Sequence, residues 1–210
     1  MDAEFWHERW ETNQLGFHQE VHNPMMVAHA DLLELKPGER VFLPLCGKTL
    51  DIGWFLSNGH HVLGAELSEL AIEQLFDNLQ LVPERTPVGK LVRYSAENID
   101  IFVGDIFSLT PETLGPVQAI YDRAALIALP ADMRRLYAEH LVILTQRAPQ
   151  LLVSVDYDQS EMAGPPFSVV DEEIKQLYAP HYEVTKLASA DVPGGLKGIC
   201  KADQTAWLLL

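Results

Sequence analysis

Residues 40–67 read RVFLPLCGKTLDIGWFLSNGHHVLGAEL. The apolar run Val41, Phe42, Leu43 and Leu45 has the makeup of a buried strand, and Cys46-Gly47-Lys48 closes it as a tight turn. From Thr49 to Ser57, Leu50, Ile52, Gly53, Phe55 and Leu56 form the sheet-facing side of a helix, which Gly59 stops. His61 to Glu66 reads as a second strand. Its terminal carboxylate falls about 20 residues after the turn, at the carboxyl end of a parallel strand, where nucleotide-binding sheets meet a ribose. Glu66 is therefore the first candidate ligand-binding residue.

The same alternation continues outward. Ahead of it, Asp2 to Glu11 reads as a helix, Thr12 to His22 as a polar and aromatic loop, and Asn23-Pro24 as the N-cap and first residue of a helix through Leu35, ended by Pro37-Gly38. Behind it, Ser68 caps a helix to about Leu79, and Pro83 to Lys90 reads as a loop. Strands recur at Ile99–Val103, Val117–Asp122 and Gln150–Tyr157. Between the last two, Pro130 to Thr145 carries Met133, Leu136, Tyr137, Leu141 and Leu144 at helical spacing, a stripe that should face the core. A helix at Asp171–Ala179 and strands at Tyr182–Leu187 and Thr205–Leu210 finish the chain, the two strands as an antiparallel hairpin at one edge. The expected architecture is α/β, Rossmann-like, of the class I S-adenosylmethionine-dependent methyltransferase type: a mainly parallel seven-stranded sheet with helices on both faces and an antiparallel edge strand.

Composition bounds the function classes. A chain of 210 residues, 48% of them hydrophobic, can bury one core unaided, so residues 1–210 are expected to form one domain. Two cysteines, Cys46 and Cys200, are too few for a disulfide framework. The start, MDAEFWHERWE, has neither a basic nor an apolar leader segment, and no stretch reaches the roughly 18 apolar residues of a membrane span. The expectation is a cytoplasmic protein with no membrane partner. Thirty acidic residues against fifteen basic give a net charge of −15, the wrong sign for gripping a phosphate backbone, so no nucleic-acid partner is expected. No heptad pattern or surplus apolar helix face asks for a second copy, and a monomer is the default.

Pro44-Leu45-Cys46-Gly47-Lys48 stands where a dinucleotide fold carries its glycine-rich phosphate loop. S-adenosylmethionine has no phosphates. Its amino-acid moiety needs a close turn, its ribose an acid and its adenine an apolar slot. Leu45 can meet the first through its backbone and Glu66 the second. In Gly104-Asp105-Ile106-Phe107, Asp105 can accept the adenine amino group while Ile106 packs on the ring.

Further motifs carry a resemblance over nearly the whole chain. They are Trp6 to Trp10, Gly16-Phe17-His18-Gln19-Glu20, Phe42 to Lys48, Trp54-Phe55, Gly59-His60, Glu66 to Leu70, Ile120-Tyr121-Asp122-Arg123-Ala124-Ala125-Leu126 and Gly164-Pro165-Pro166-Phe167. In these the chain resembles the thiopurine S-methyltransferases, in their bacterial form. The resemblance implies methyl transfer to thiopurines and related aromatic or heterocyclic thiols, with selenium or tellurium species as further acceptors. It implies S-adenosylmethionine contacts from Trp10, Leu45, Glu66, Asp105, Ile106 and Arg123, and an acceptor pocket lined by Phe17. It weakens after Phe167: Ala188 to Asp203 lacks the basic, aromatic-rich pattern of longer members, which leaves acceptor contacts there open.

Methyl transfer to a thiolate needs alignment more than acid–base machinery. Arg123 is the candidate cation beside the thiolate, with pairing to Asp122 or a neighbouring carboxylate as its structural alternative. Residues 1–22 are expected to form an N-terminal helix and a lid, with Trp10 and Phe17 functional and Trp6 packed on the sheet. His18 is read as a loop histidine, the cluster Asp156, Asp158 and Glu161 as solvated strand-end carboxylates and not a metal site, and Cys46 as a packing residue. Two other functions remain open: a binding module that holds S-adenosylmethionine without turnover, and, against the missing glycine pattern, a nicotinamide-dependent oxidoreductase.

Overall fold

The computed structural model describes residues 3–14, 19 and 21–210. Phe17 and His18 lie outside the described residues. Helix α1 spans Ala3–Glu11 and α2 spans Pro24–His29. The Asn23 side chain caps α2 as expected, accepting from the backbone N–H of Met25 at 3.0 Å and of Met26 at 3.2 Å. The helix stops short of Leu35 because the backbone leaves α geometry at His29, φ −129°, and continues as a 3-10 turn over Ala30–Leu33.

Strand β1 (Arg40–Pro44), α3 (Asp51–Ser57) and β2 (His61–Glu66) follow the reading of 40–67. Ser68 caps α4 (Glu69–Leu79) through a 3.3 Å bond to the Ala71 N–H. The next segment departs from expectation, for Pro83 to Lys90 is no loop. Strand β3 (Glu84–Val88) pairs antiparallel with β4 (Leu91–Ala96), turning at Gly89-Lys90. Only an edge strand tolerates Pro87 and so many exposed residues, and β3 is the edge.

The chain then runs through β5 (Ile99–Val103), α5 (Pro111–Leu114), β6 (Ala119–Arg123), α6 (Ala131–Leu144), β7 (Gln150–Tyr157), α7 (Asp171–Tyr178), β8 (Val184–Asp191) and β9 (Ala202–Leu209). The described residues form one nine-stranded sheet in the order β3-β4-β5-β2-β1-β6-β7-β9-β8, two strands more than expected. Strands β5, β2, β1, β6 and β7 are mutually parallel. The two antiparallel strands, β4 and β9, each sit one place in from an edge, β9 wedged between β7 and β8.

Alternation along the strands divides the core in two. Phe42 and Leu63 join Phe102, Tyr137, Leu141 and Trp207 on one face, whereas Val41, Leu43 and Val62 join Phe55, Phe76 and Tyr94 on the other. On α6 the buried stripe is Arg134, Tyr137, Ala138, Leu141 and Leu144. Leu136, expected to face the core, is 51% exposed, because Arg134 turns inward to hold Glu173 of α7 at 2.6 and 3.0 Å.

Candidate active site

The connection order reverses between β1 and β6, the place where parallel α/β sheets open a crevice at their carboxyl ends. A cleft of about 460 Å³ lies there. The residues that leave those two strands, Leu45 and Ala124, both line it, and both adopt left-handed backbone, with φ of +47° and +61°. Each conformation costs a non-glycine residue about 1 kcal/mol, a strain that concentrates where a turn must present backbone to a ligand.

Glu66 is 7% exposed at the end of β2. One carboxylate oxygen accepts from the Gly47 N–H at 2.8 Å and the other from the Ser68 N–H at 2.9 Å. Burial raises its pKa, and those backbone bonds oppose the rise. The carboxylate is thus fixed against the turn after β1, with lone pairs left for a ligand in the cleft. Trp10, 4% exposed, covers this turn from α1: a Cβ at Gly47 would fall 3.1 Å from its Cζ2. Lys48 places its ammonium 5.9 Å from the Trp10 ring centroid and donates to Gln74 at 2.7 Å.

Beyond β5, Gly104 has φ +134°, and a Cβ there would strike Leu91 Cδ2 at 2.7 Å. Asp105 caps the next turn, one oxygen accepting from the Phe107 N–H at 3.0 Å. Ile106 is buried in the cleft wall, its carbonyl bound by His140 Nε2 at 2.9 Å. Leu45, Glu66, Asp105 and Ile106 therefore share one end of the cleft, and they fit S-adenosylmethionine by their chemistry: a turn, a buried acid, a half-used acid and an apolar wall.

Arg123 lies at the end of β6 with only 8% of its side chain exposed. It lines the cleft, yet its Nε is 3.7 Å from Asp51, and its Nη2 donates to Gln19. Strand alternation explains why Asp122 is not the partner. Asp122 faces α6, where it accepts from Tyr137 at 2.8 Å, while Tyr121 and Arg123 face Asp51.

The opposite end of the cleft is mostly apolar, with Met133, Val155, Pro165, Pro166, Val192 and Leu196. Sequence reasoning left 188–203 open, and the structure brings Val192, Leu196 and Lys197 into the wall. Trp6, expected to pack on the sheet, lines the cleft instead, its ring edge-on to Phe5 at 5.3 Å. Nothing local marks these residues, since they meet only through the fold. Cys46 is buried, and its thiol is pushed well above the usual range by burial and the nearby Glu66 charge, so it stays protonated. No metal-holding cluster of His, Cys, Asp or Glu occurs among the described residues, and no described helix is long and apolar enough to cross a membrane.

The fold and the cleft define a class I S-adenosylmethionine-dependent methyltransferase. A methyltransferase of this kind from Anabaena variabilis superposes with a TM-score of 0.68 at 16% identity, covering 99% of this chain and 95% of its own. Magnesium protoporphyrin IX methyltransferase from Synechocystis, solved with S-adenosylhomocysteine bound, gives 0.62 at 12% identity over 99% of both chains. The family model of thiopurine S-methyltransferase matches residues 1–201, and the thiopurine S-methyltransferase of Xanthobacter autotrophicus is 57% identical over 100% of this chain and 99% of its own. The chain belongs to the thiopurine S-methyltransferase family and is a methyltransferase dependent on S-adenosylmethionine. That membership sets aside the nicotinamide-dependent alternative.

Proposed function

We propose that residues 1–210 act as one cytoplasmic, monomeric domain that methylates thiopurines and related aromatic or heterocyclic thiols, with selenium and tellurium species as further acceptors. The observation that carries this reading is the two-ended cleft, polar around Glu66 and Asp105 and apolar around Pro165 and Pro166. S-adenosylmethionine supplies an activated methyl group on its sulfonium. Glu66 accepts from the ribose hydroxyls, Asp105 from the adenine amino group, and Ile106 packs against the base. Leu45 presents backbone to the amino-acid moiety, and Trp10 closes over the turn. Phe17 and Arg123 flank the acceptor.

The chemical demand on this chain is small. The acceptor sulfur enters as a thiolate and forms a bond to the methyl carbon as the sulfonium–carbon bond breaks, leaving two neutral thioethers and no proton to place. The apolar end excludes water and strips solvation from the thiolate, and α1 with the segment after it acts as the lid. Transfer of a labelled methyl group to 6-mercaptopurine, lost in Glu66→Ala, is the expected result. Cofactor binding with no turnover on any thiol, selenium or tellurium acceptor would instead support the binding-module reading.

A further inference from the structure

The Asp105 carboxylate is held by less structure than that of Glu66. Asp105 is exposed, and it opens a 3-10 turn of only three residues, Ile106–Ser108, between β5 and α5. Within the turn its side chain accepts from the Phe107 N–H at 3.0 Å and its carbonyl from the Ser108 N–H at 2.8 Å. Such bonds fix the shape of a short turn but not its place against the sheet. Ties to other elements supply the place. The Gly104 N–H donates to the Glu66 carbonyl at 2.8 Å, which extends the β2–β5 ladder by one residue, and the Ile106 side chain is buried. From outside the sheet, His140 Nε2 reaches the Ile106 carbonyl at 2.9 Å from the penultimate turn of α6.

His140 is suited to that task. A carbonyl can only accept, so Nε2 carries the proton of the neutral ring. Burial lowers the His140 pKa, against the Ile106 bond and the Asp105 charge, and the neutral ring adds no cation beside Asp105. The same Ile106 carbonyl accepts from the Leu109 N–H at 3.0 Å, so both of its lone pairs are engaged and the turn is braced from two directions. The imidazole also packs on Phe107, with centroids 5.3 Å apart and planes at 59°. Asp105, Ile106 and Phe107 all line the cleft, and among the described residues His140 stands behind that lining and not in it. It acts at one remove.

We infer that His140 is a positioning residue for the cofactor: by holding the Ile106 carbonyl it sets the Asp105 carboxylate where it accepts from the adenine amino group, and it thereby makes the cleft selective for an amino-bearing base. The inference rests on the assignment of adenine to Asp105 and Ile106 proposed above and deepens it. His140 touches neither the cofactor nor the reacting atoms. Its loss is felt at the amino group and not along the rest of the ligand, because Glu66 is held independently through the Gly47 and Ser68 N–H groups.

The test is calorimetric binding of S-adenosylhomocysteine and of its analogue with hydrogen in place of the adenine amino group, to the full chain as wild type, His140→Leu, His140→Asn, His140→Gln and Asp105→Ala. The wild type should favour the amino-bearing ligand by about tenfold, the effect of one charge-assisted bond. His140→Leu should cut that preference roughly fivefold. His140→Asn, whose amide is too short to reach the carbonyl, should do the same and keeps the comparison open if the leucine variant does not fold. His140→Gln, which can bring an amide N–H close to the Nε2 position, should restore the preference. A preference within about twofold of wild type in the leucine and asparagine variants overturns the inference, even where both ligands bind more weakly, because an equal loss on both is what a purely structural role produces. Failure of the underlying reading looks different: a wild type and an Asp105→Ala variant with the same preference would remove Asp105 from the adenine contact, and the role of His140 with it.

Discussion

The guanidinium Nε of Arg123 lies 3.7 Å from the Asp51 carboxylate, with 8% and 1% of the two side chains exposed. Asp51 also accepts from the Tyr121 hydroxyl at 2.9 Å and from the Asn23 backbone N–H at 2.9 Å, so a single carboxylate ties β6 and the start of α2 to α3. Removing one member of such a pair strands a charge in a dry site. Asp51→Asn should lower the unfolding free energy by about 3 kcal/mol in urea titrations at neutral pH. The double variant Asp51→Asn with Arg123→Met should recover at least half of that loss. A double variant no more stable than Asp51→Asn alone would show that the pairing with Arg123 is not what Asp51 supplies.

Glu66 carries the proposed ribose contact. A carboxylate that takes charge-assisted bonds contributes about 1.5–3 kcal/mol for each, so Glu66→Ala should weaken S-adenosylhomocysteine binding by roughly a hundredfold. Because burial raises the Glu66 pKa, the wild type should lose affinity on acidification at a higher pH than an ordinary carboxylate would allow. Calorimetry from neutral pH downward should find that dependence in the wild type and a flatter one in Glu66→Gln.

Asp122 ties stability to pH. Burial raises its pKa to about 6 from 3.8, against opposing bonds from Tyr137 and the Leu126 N–H. The native state therefore binds a proton that the unfolded chain has released, and the resulting stabilisation is complete below about pH 4 and is lost as pH rises through 6. Relative to Asp122→Asn, the wild type should lose roughly 3 kcal/mol between pH 4 and pH 7. Parallel denaturation curves at three pH values check this, and a constant difference would place the Asp122 pKa elsewhere.

Gly47 separates fold from binding. At φ +51° an added Cβ costs about 1 kcal/mol of stability, but it also pushes on the Trp10 ring at 3.1 Å. Gly47→Ala should therefore melt only a few degrees lower while binding S-adenosylhomocysteine about tenfold more weakly. Equal losses in both measurements would deny Trp10 a part in the site.

Truncation tests the proposed lid. Deleting residues 1–20 removes Trp6, Arg9 and Trp10 from the cleft and leaves Asn23 to cap α2. The truncated chain should retain its far-ultraviolet dichroism and lose cofactor binding. Unchanged affinity would refute the lid.

What could be read in advance follows from how locally each feature is encoded. Glu66 at the end of β2, Asp105 after β5 and the caps Asn23 and Ser68 stand beside the elements that place them, and all four could be read. Strand β3 could not, since Pro87 and its exposed neighbours resemble a loop until β4 is seen to pair with them. Arg123 was legible as a cleft residue, with pairing to Asp122 or a neighbouring carboxylate as its alternative, but Asp51 as the partner was not, because it reaches β6 from α3. Lys197 gave no signal at all. Its glycine-rich turn acquires meaning only once β8 and β9 carry it back over Pro165.

The placement of β9 between β7 and β8 bears on how the protein is made. A ribosome delivers the chain N-terminus first, and β8 emerges with no partner available, since its neighbour in the sheet is β9. Until Ala202–Leu209 is synthesised, β7 presents a bare edge and the segment holding Val192, Leu196 and Lys197 has nothing to anchor its far end. The rim that holds Val192, Leu196 and Lys197 is accordingly the last part of the cleft to take shape, after the strands that lead into Leu45 and bear Glu66 and Arg123 can already have paired. A nascent chain stalled before Ala202 would carry the Glu66 half of the cleft with its other wall still unbuilt.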